Sequence, residues 1–198
     1  MTPRKPRRAN RVRIIGGAWR GRMLAFPDSA GLRPTPDRVR ETLFNWLGQS
    51  LAGRRCLDLF AGAGALGFEA LSRGASEVVM VEQMRSVADA LRANADRLGA
   101  RTLRVVMGDA LHFLDDPGVG GFDVVFVDPP YRSGMVRRVL ERLPAVLAQG
   151  AVVYTESDAP IAPPPPWRVC RQARAGAVHY HLLERGADAD QGSLSGDL

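Results

Sequence analysis

Residues 54–82 carry the pattern that most constrains the fold. An apolar run, Arg54-Arg55-Cys56-Leu57-Asp58-Leu59-Phe60, leads into Ala61-Gly62-Ala63-Gly64-Ala65-Leu66-Gly67, then a helix-like stretch to Gly74 and a second apolar run, Glu77-Val78-Val79-Met80-Val81-Glu82. This order reads as strand, glycine turn, helix and strand. Such a unit makes parallel strands with a right-handed crossover, so helices must cover the sheet. Gly62, Gly64 and Gly67 fit G-x-G-x-x-G, and Glu82 follows Gly62 by 20 positions, near the spacing at which a carboxylate reaches ribose hydroxyls. The pattern predicts a nucleoside cofactor. A nicotinamide dinucleotide fits the same glycines and acid.

The alternation continues downstream. Strands are predicted over residues 78–82, 102–107, 124–128 and 151–155, with helices over 86–98, near 111–115 and over 135–147. That order argues an α/β Rossmann-like, mostly parallel sheet with helices on both faces. Upstream, residues 11–26 predict a small β-hairpin: Val12, Ile14, Met23, Leu24 and Phe26 flank a turn over 16–21, and Trp19 can serve a base or pack on the body. Residues 36–47 predict a helix with Thr35 as its cap, Pro36 in its first turn and Val39, Leu43, Phe44 and Leu47 on its apolar face. Arg38, Arg40 and Glu41 are left to the opposite face, solvated or closing over the cofactor. Residues 160–166 hold four consecutive prolines and form a loop, after which 167–172 and 177–183 are strand-like. The expected organisation is a disordered basic arm (1–10), a hairpin and helix extension (11–50), a catalytic domain (51–185) and a flexible tail (186–198).

The acids make the chemistry. Asp58 stands at the end of the first strand, where it would repel a pyrophosphate but favour the ammonium of S-adenosylmethionine. Glu82 closes the second strand and is placed on the ribose; Asp109, with Ala110, follows the third and is placed on the adenine. Residues 122–131, Phe-Asp-Val-Val-Phe-Val-Asp-Pro-Pro-Tyr, end a fourth strand in an acid, a rigid corner and a ring. Pro129 and Pro130 supply no backbone N–H, so their carbonyls and the Asp128 carboxylate form an acceptor cluster beside Tyr131. A planar nucleobase amine suits that cluster, its N–H donors held by Asp128 and a proline carbonyl and its ring stacked on Tyr131. The plainer reading is a strand that stops at Pro-Pro and enters a surface loop. Four acids closing four successive parallel strands argue against coincidence, because open α/β sheets bind ligands at that edge.

Leu57-Asp58-Leu59-Phe60-Ala61-Gly62-Ala63-Gly64 together with Asp128-Pro129-Pro130-Tyr131 resembles the S-adenosylmethionine-dependent amino-methyltransferases. The blocks at residues 13–22 and 32–47 resemble the RsmD family, bacterial methyltransferases of guanine in small-subunit ribosomal RNA. The resemblance spans roughly residues 11 to 185. It implies a class I methyltransferase fold with a seven-stranded sheet, and methylation of the exocyclic 2-amino group of one guanosine in 16S rRNA, in an assembled small ribosomal subunit. Carried over by motif, Asp58, Phe60, Gly62 and Gly64 border the methionine end, Glu82 the ribose and Asp109 with Ala110 the adenine; Asp128, Pro129, Pro130 and Tyr131 hold the target base. Asp at position 128 is also common in enzymes acting on adenine or cytosine amines of DNA, so the motif defines the reaction better than the base.

Charge has a location. Arg4, Lys5, Arg7, Arg8, Arg11, Arg13, Arg20 and Arg22 lie within residues 1–27, which contain no acid, while the remaining chain holds 19 basic and 21 acidic residues. A basic arm on a near-neutral body predicts a phosphate-backbone partner, with Arg132 as a further contact beside the corner; a solubilising tail is the alternative. The 198-residue length fits one enzyme domain, without the added recognition region that a sequence-reading DNA methyltransferase needs. Cys56 and Cys170 lie in apolar runs and are expected as buried thiols in a reducing cytoplasm. Neither a membrane span nor an export signal is read, and His179 and His181 find no third ligand, so no metal is expected. The chain is expected to be a monomer. The rival functions are a DNA amino-methyltransferase, a nicotinamide-dependent reductase and a non-catalytic RNA-binding protein.

Overall fold

The structure, a computed structural model, describes residues 10–29, 32–130 and 134–186. Strands β1 (Asn10–Arg13) and β2 (Met23–Phe26) pair antiparallel as the predicted hairpin, and helix α1 (Asp37–Trp46) follows. The body then alternates β3 (Arg55–Asp58), α2 (Ala65–Ser72), β4 (Glu77–Glu82), α3 (Arg85–Leu98), β5 (Leu103–Met107), α4 (Ala110–Leu114), β6 (Phe122–Val127), α5 (Met135–Arg142), β7 (Leu147–Ser157), β8 (Trp167–Ala175) and β9 (Val178–Arg185). These seven strands form one sheet in the order β5-β4-β3-β6-β7-β9-β8. The first five are parallel; β9 enters antiparallel between β7 and β8.

Side chains alternate across each strand, so the sheet has two separate packed faces. Cys56, Val78, Met80, Val124, Phe126 and Tyr154 meet the hairpin, α1, α2 and Leu91 of α3 on one face. Leu57, Val79, Val125, Val127 and Val153 meet α4 and α5 on the other. Gly67 permits the close approach on the first face: a Cβ there would stand 2.3 Å from Met80 Cε.

Several expectations are corrected. The helix expected over 135–147 stops at Arg142 and tightens into a 3-10 turn, Leu143–Ala145, because Pro144 has no N–H to give. Strand β7 spans eleven residues instead of five. Pro36, not Thr35, is the N-cap of α1, and no side chain caps it. Leu47 is only half-buried, and Cys170 is exposed on β8, although Cys56 is buried as expected. The largest correction is Arg40, which the family resemblance set closing over the cofactor and a helical wheel left solvated, but which is 0% exposed and bound inside the body. Its guanidinium donates to the carbonyls of Thr35 (3.1 Å) and Arg13 (2.8 Å), to Asp37 (2.6 Å) and to the buried Glu69 (3.3 Å). Glu69 also accepts from Ile15 N–H at 2.8 Å and from Arg73 at 2.8 Å. This fully hydrogen-bonded ion network locks β1, α1 and α2 together; removal of one partner from such a network costs about 3–5 kcal/mol.

Candidate active site

Asp58 is the last residue of β3, Glu82 the last of β4, and Asp128 the first beyond β6. Each lies two positions after a side chain of the same packed face, namely Cys56, Met80 and Phe126. The strand period of two therefore puts all three carboxylates at one edge and on one face of the sheet. Glu156, two positions after Tyr154 near the end of β7, extends the series and was missed in the sequence. The strand-end rule would have found it, had the fifth strand been carried one residue further.

The carboxylates differ in their surroundings. Asp58 is buried, and its Oδ2 accepts from Gly67 N–H at 3.1 Å. Burial pushes its pKa from 3.8 to about 7 against that hydrogen bond and one from Phe60, and the charge of Glu82 adds to the rise. Glu82 instead ties the glycine turn: Oε2 accepts from Gly62 N–H at 3.0 Å and Oε1 from Met84 N–H at 2.7 Å. Gly62 and Gly64 have φ of +50° and +76°, conformations that favour glycine, and Gly64 is the N-cap of α2. Asp109 is exposed and caps α4, Oδ1 accepting from Leu111 N–H (2.9 Å) and His112 N–H (3.0 Å), while Ala110 is buried behind it. These bonds account for Glu82 and Asp109 structurally and leave lone pairs on each carboxylate for a ligand. Phe60 is half-buried beside the turn. Met84 and Met107, exposed at 43% and 48%, flank Glu82 and Gly108 where β4 and β5 end, and they are further residues the sequence reading missed.

Burial drives Asp128 well above the ordinary carboxylate range, helped by Glu156 and then by Asp58. Pro129 is buried and Pro130 exposed beside it. Together they border a cleft of about 430 Å³ whose lining also includes Met135, Leu140, Glu156 and Ile161. That volume suits a small organic ring, with apolar walls and few polar groups. Tyr131 and Arg132 lie outside the described residues, as do Arg4, Lys5, Arg7 and Arg8.

The remaining arginines do not gather at this edge. Arg11, Arg20 and Arg22 are exposed, and Arg13, also exposed, pairs with Asp37 at 3.1 Å. Ala18 N–H and Trp19 N–H bond to the backbone and side chain of Ser72 at 2.7 and 2.9 Å. Ser72 ends α2, which starts at the glycine turn and descends for eight residues, about 12 Å at 1.5 Å per residue. The hairpin tip carrying Arg20 is thus at the far edge of the sheet, and Trp19 packs on the body. The root of the basic arm is nearer the acids: Asn10 pairs with Phe26, the end of the hairpin opposite its tip. Among the described residues no group of three or more His, Cys, Asp or Glu could hold a metal ion, and no helix is long and apolar enough to cross a membrane.

The family described as Conserved hypothetical protein 95 matches residues 12–184. Ribosomal RNA small subunit methyltransferase D of Escherichia coli K12 is 45% identical over 188 residues, covering 92% of this chain and 94% of that protein. The protein of the same name from Haemophilus influenzae is 41% identical over 186 residues, covering 90% and 96%. The solved structure of the candidate methyltransferase yhhF from Escherichia coli superposes with a TM-score of 0.81 at 44% identity, covering 90% of this chain and 99% of that one.

Proposed function

The chain belongs to the ribosomal RNA small subunit methyltransferase D family, and from that membership we propose that it moves a methyl group from S-adenosylmethionine to the exocyclic 2-amino group of one guanosine in 16S rRNA, within an assembled small ribosomal subunit. The observation that carries this reading is the alignment of Asp58, Glu82 and Asp128 on one face and one edge of the sheet. A cationic cofactor fits there. Burial raises the pKa of Asp58 to about 7; an ammonium beside it would favour the carboxylate, whereas a dinucleotide pyrophosphate would raise the pKa further and gain no charge partner. That contrast disfavours the nicotinamide alternative.

Asp58, with the Gly62–Gly64 turn, would hold the methionine end; Glu82 the ribose; and Asp109 with Ala110 the adenine, between Met84 and Met107. When bound, the cofactor supplies an activated methyl group on a sulfonium. The chain's own residues deal with the amine. Guanine's exocyclic nitrogen is a poor nucleophile because its lone pair is delocalised into the ring, so positioning and charge stabilisation are the protein's work. Asp128 and the Pro129 carbonyl accept the two N–H groups and draw the nitrogen toward tetrahedral geometry; Tyr131 fixes the ring plane. Positive charge developing on the nitrogen would be stabilised by the Asp128 carboxylate, which would accept the departing proton. The base must be unpaired or flipped to enter.

The arm over Arg4, Lys5, Arg7 and Arg8 would lie on RNA phosphates, with Arg11 and Arg132 as further contacts; Arg20 and Arg22, at the hairpin tip, would meet only RNA beyond the opposite edge, Arg13 pairs with Asp37, and the enzyme is read as a cytoplasmic monomer. Incubation with labelled S-adenosylmethionine and small subunits from a strain lacking this enzyme tests the reading. Label is expected in N2-methylguanosine at a single position of 16S rRNA; label in another base, or none, overturns it.

A further inference from the structure

We propose that the edge strand β8 is a second holding surface for the rRNA backbone, with Arg171 and Arg174 as its phosphate contacts. The inference rests on the reading of the chain as an rRNA methyltransferase. Residues 159–183 contain no acid, and Arg168, Arg171 and Arg174 fall within them, all on β8. β8 ends the sheet beyond β9. Arg168 is paired with Glu184 at 3.0 Å; Arg171 and Arg174 stand exposed further along the strand, Arg174 steadied by a 2.7 Å bond from its Nε to the Gly176 carbonyl. Register sets their place. Thr155 of β7 pairs with Val127 of β6, and Ser157 with His179 of β9, which in turn pairs with Arg174. Arg174 is therefore level with the Asp128–Pro129 corner, three strand spacings away, roughly 14 Å at about 4.8 Å each. The bulge between Val169 and Arg171 sets Arg171 opposite Leu182, on the face that carries Asp128. Without it, Arg171 would fall opposite His181 and face the other side.

The catalytic edge is a poor place for a phosphate chain. Asp58, Glu82, Asp128 and Glu156 stand at the ends of four neighbouring strands, so the uncharged target base can enter among them but the phosphates on either side of it are disfavoured there. The backbone has to be held at the flanks. One flank has the root of the basic arm at Asn10; the other ends in β8, two strands beyond Glu156. Cations on both flanks let the RNA span the acids with the base directed inward, and guanidinium groups match phosphate geometry with paired donors. Charge on an edge strand also prevents pairing with a second chain, but acids serve that purpose equally well. A strand whose charges are all arginine, one of them turned by a bulge to the face of the site, is accounted for by an anionic partner.

Small subunits from a strain lacking this enzyme are the probe. In Arg171→Gln/Arg174→Gln the slope of log affinity against log salt should become shallower by up to about 1.4, at roughly 0.7 per phosphate contact. KM for small subunits should rise at least fivefold, while kcat, S-adenosylmethionine affinity and thermal midpoint stay near wild type. Arg171→Lys/Arg174→Lys, which keeps the charge, should restore most of the slope. Arg101→Gln/Arg104→Gln removes the same charge from exposed positions at the opposite end of the sheet and should leave the slope alone. Binding to protein-free 16S rRNA should weaken in the first variant as well; a change confined to intact subunits would point to a subunit protein and overturns the proposal. An unchanged slope and KM overturn it too, leaving the β8 charges to keep copies of the chain apart. So does an equal loss in Arg101→Gln/Arg104→Gln, which would make net charge the cause. A wild type that neither binds nor methylates small subunits defeats the functional reading, and this surface with it.

Discussion

The two halves of the sheet's carboxyl edge handle negative charge in opposite ways. On the β4–β5 side the acids are bound into the backbone: Glu82 accepts from Gly62 and Met84, and Asp109 from Leu111 and His112. On the β6–β7 side Asp128 and Glu156 are crowded together, and Asp128 is driven far above its ordinary pKa. Asp58 stands between them, with backbone hydrogen bonds from Gly67 and Phe60 and a pKa of about 7. The first half is preorganised, its acids fixing the glycine turn and the start of α4. In the second half burial and the neighbouring Glu156 raise the pKa of Asp128.

Asp58→Asn probes the middle of this contrast and carries the largest expected effect. The folded-state pKa of about 7 exceeds the ordinary 3.8, so the native state favours the proton. Stability from this group is full below about pH 4 and is lost as pH rises through 7, by up to about 4 kcal/mol for three pKa units. The variant should lose that slope in pH-dependent denaturant unfolding. It should also abolish a rise in wild-type cofactor affinity between pH 6 and 8, a rise of up to about tenfold as Asp58 ionises. A wild type whose stability is flat across pH 4–8 would place Asp58 with the satisfied acids.

Asp128→Ala addresses the crowded half. Methyl transfer in single turnover should fall roughly 10²- to 10³-fold, as for loss of one preorganised electrostatic group, with cofactor affinity nearly unchanged. Near wild-type transfer would reduce the Pro129–Pro130 corner to a structural bend. Glu82→Ala addresses the other half and should do the reverse. It removes hydrogen bonds to a charged group, worth about 1.5–3 kcal/mol each, so calorimetry should show cofactor affinity down at least tenfold with the fold retained. Unchanged affinity would make Glu82 a loop tie alone.

The smallest effect tests whether either half depends on the basic arm. Deleting residues 1–9 spares β1, which begins at Asn10, and removes Arg4, Lys5, Arg7 and Arg8. The slope of log affinity for small subunits against log salt should become shallower by up to about 3, at roughly 0.7 per phosphate contact, with the rate at saturating substrate unchanged. An unchanged slope would make the arm a solubilising tail.

The sequence by itself determined whatever depends on neighbours along the chain. The glycine turn, the amphipathic helix over Val39, Leu43 and Phe44, the alternation of strand and helix, and the acids that close β3, β4 and β6 are patterns of period 2 or 3.6 punctuated by glycine and proline, and each is readable within about ten residues. Even the wrong end of α5 was local, since Pro144 was there to be read. Tertiary structure decided what depends on residues far apart. Arg40 looks solvated on a helical wheel, but Glu69, 29 positions away, and the Arg13 carbonyl draw it into the interior. Arg20 looks like part of one basic patch with Arg4, but the bonds from Ala18 and Trp19 to Ser72 carry its hairpin tip to the opposite edge. Glu156 stands beside Asp128 only because β6 and β7 pair in register. Propensity and periodicity are properties of a segment; adjacency between strands and the burial of a charge are set by the partners that folding brings together.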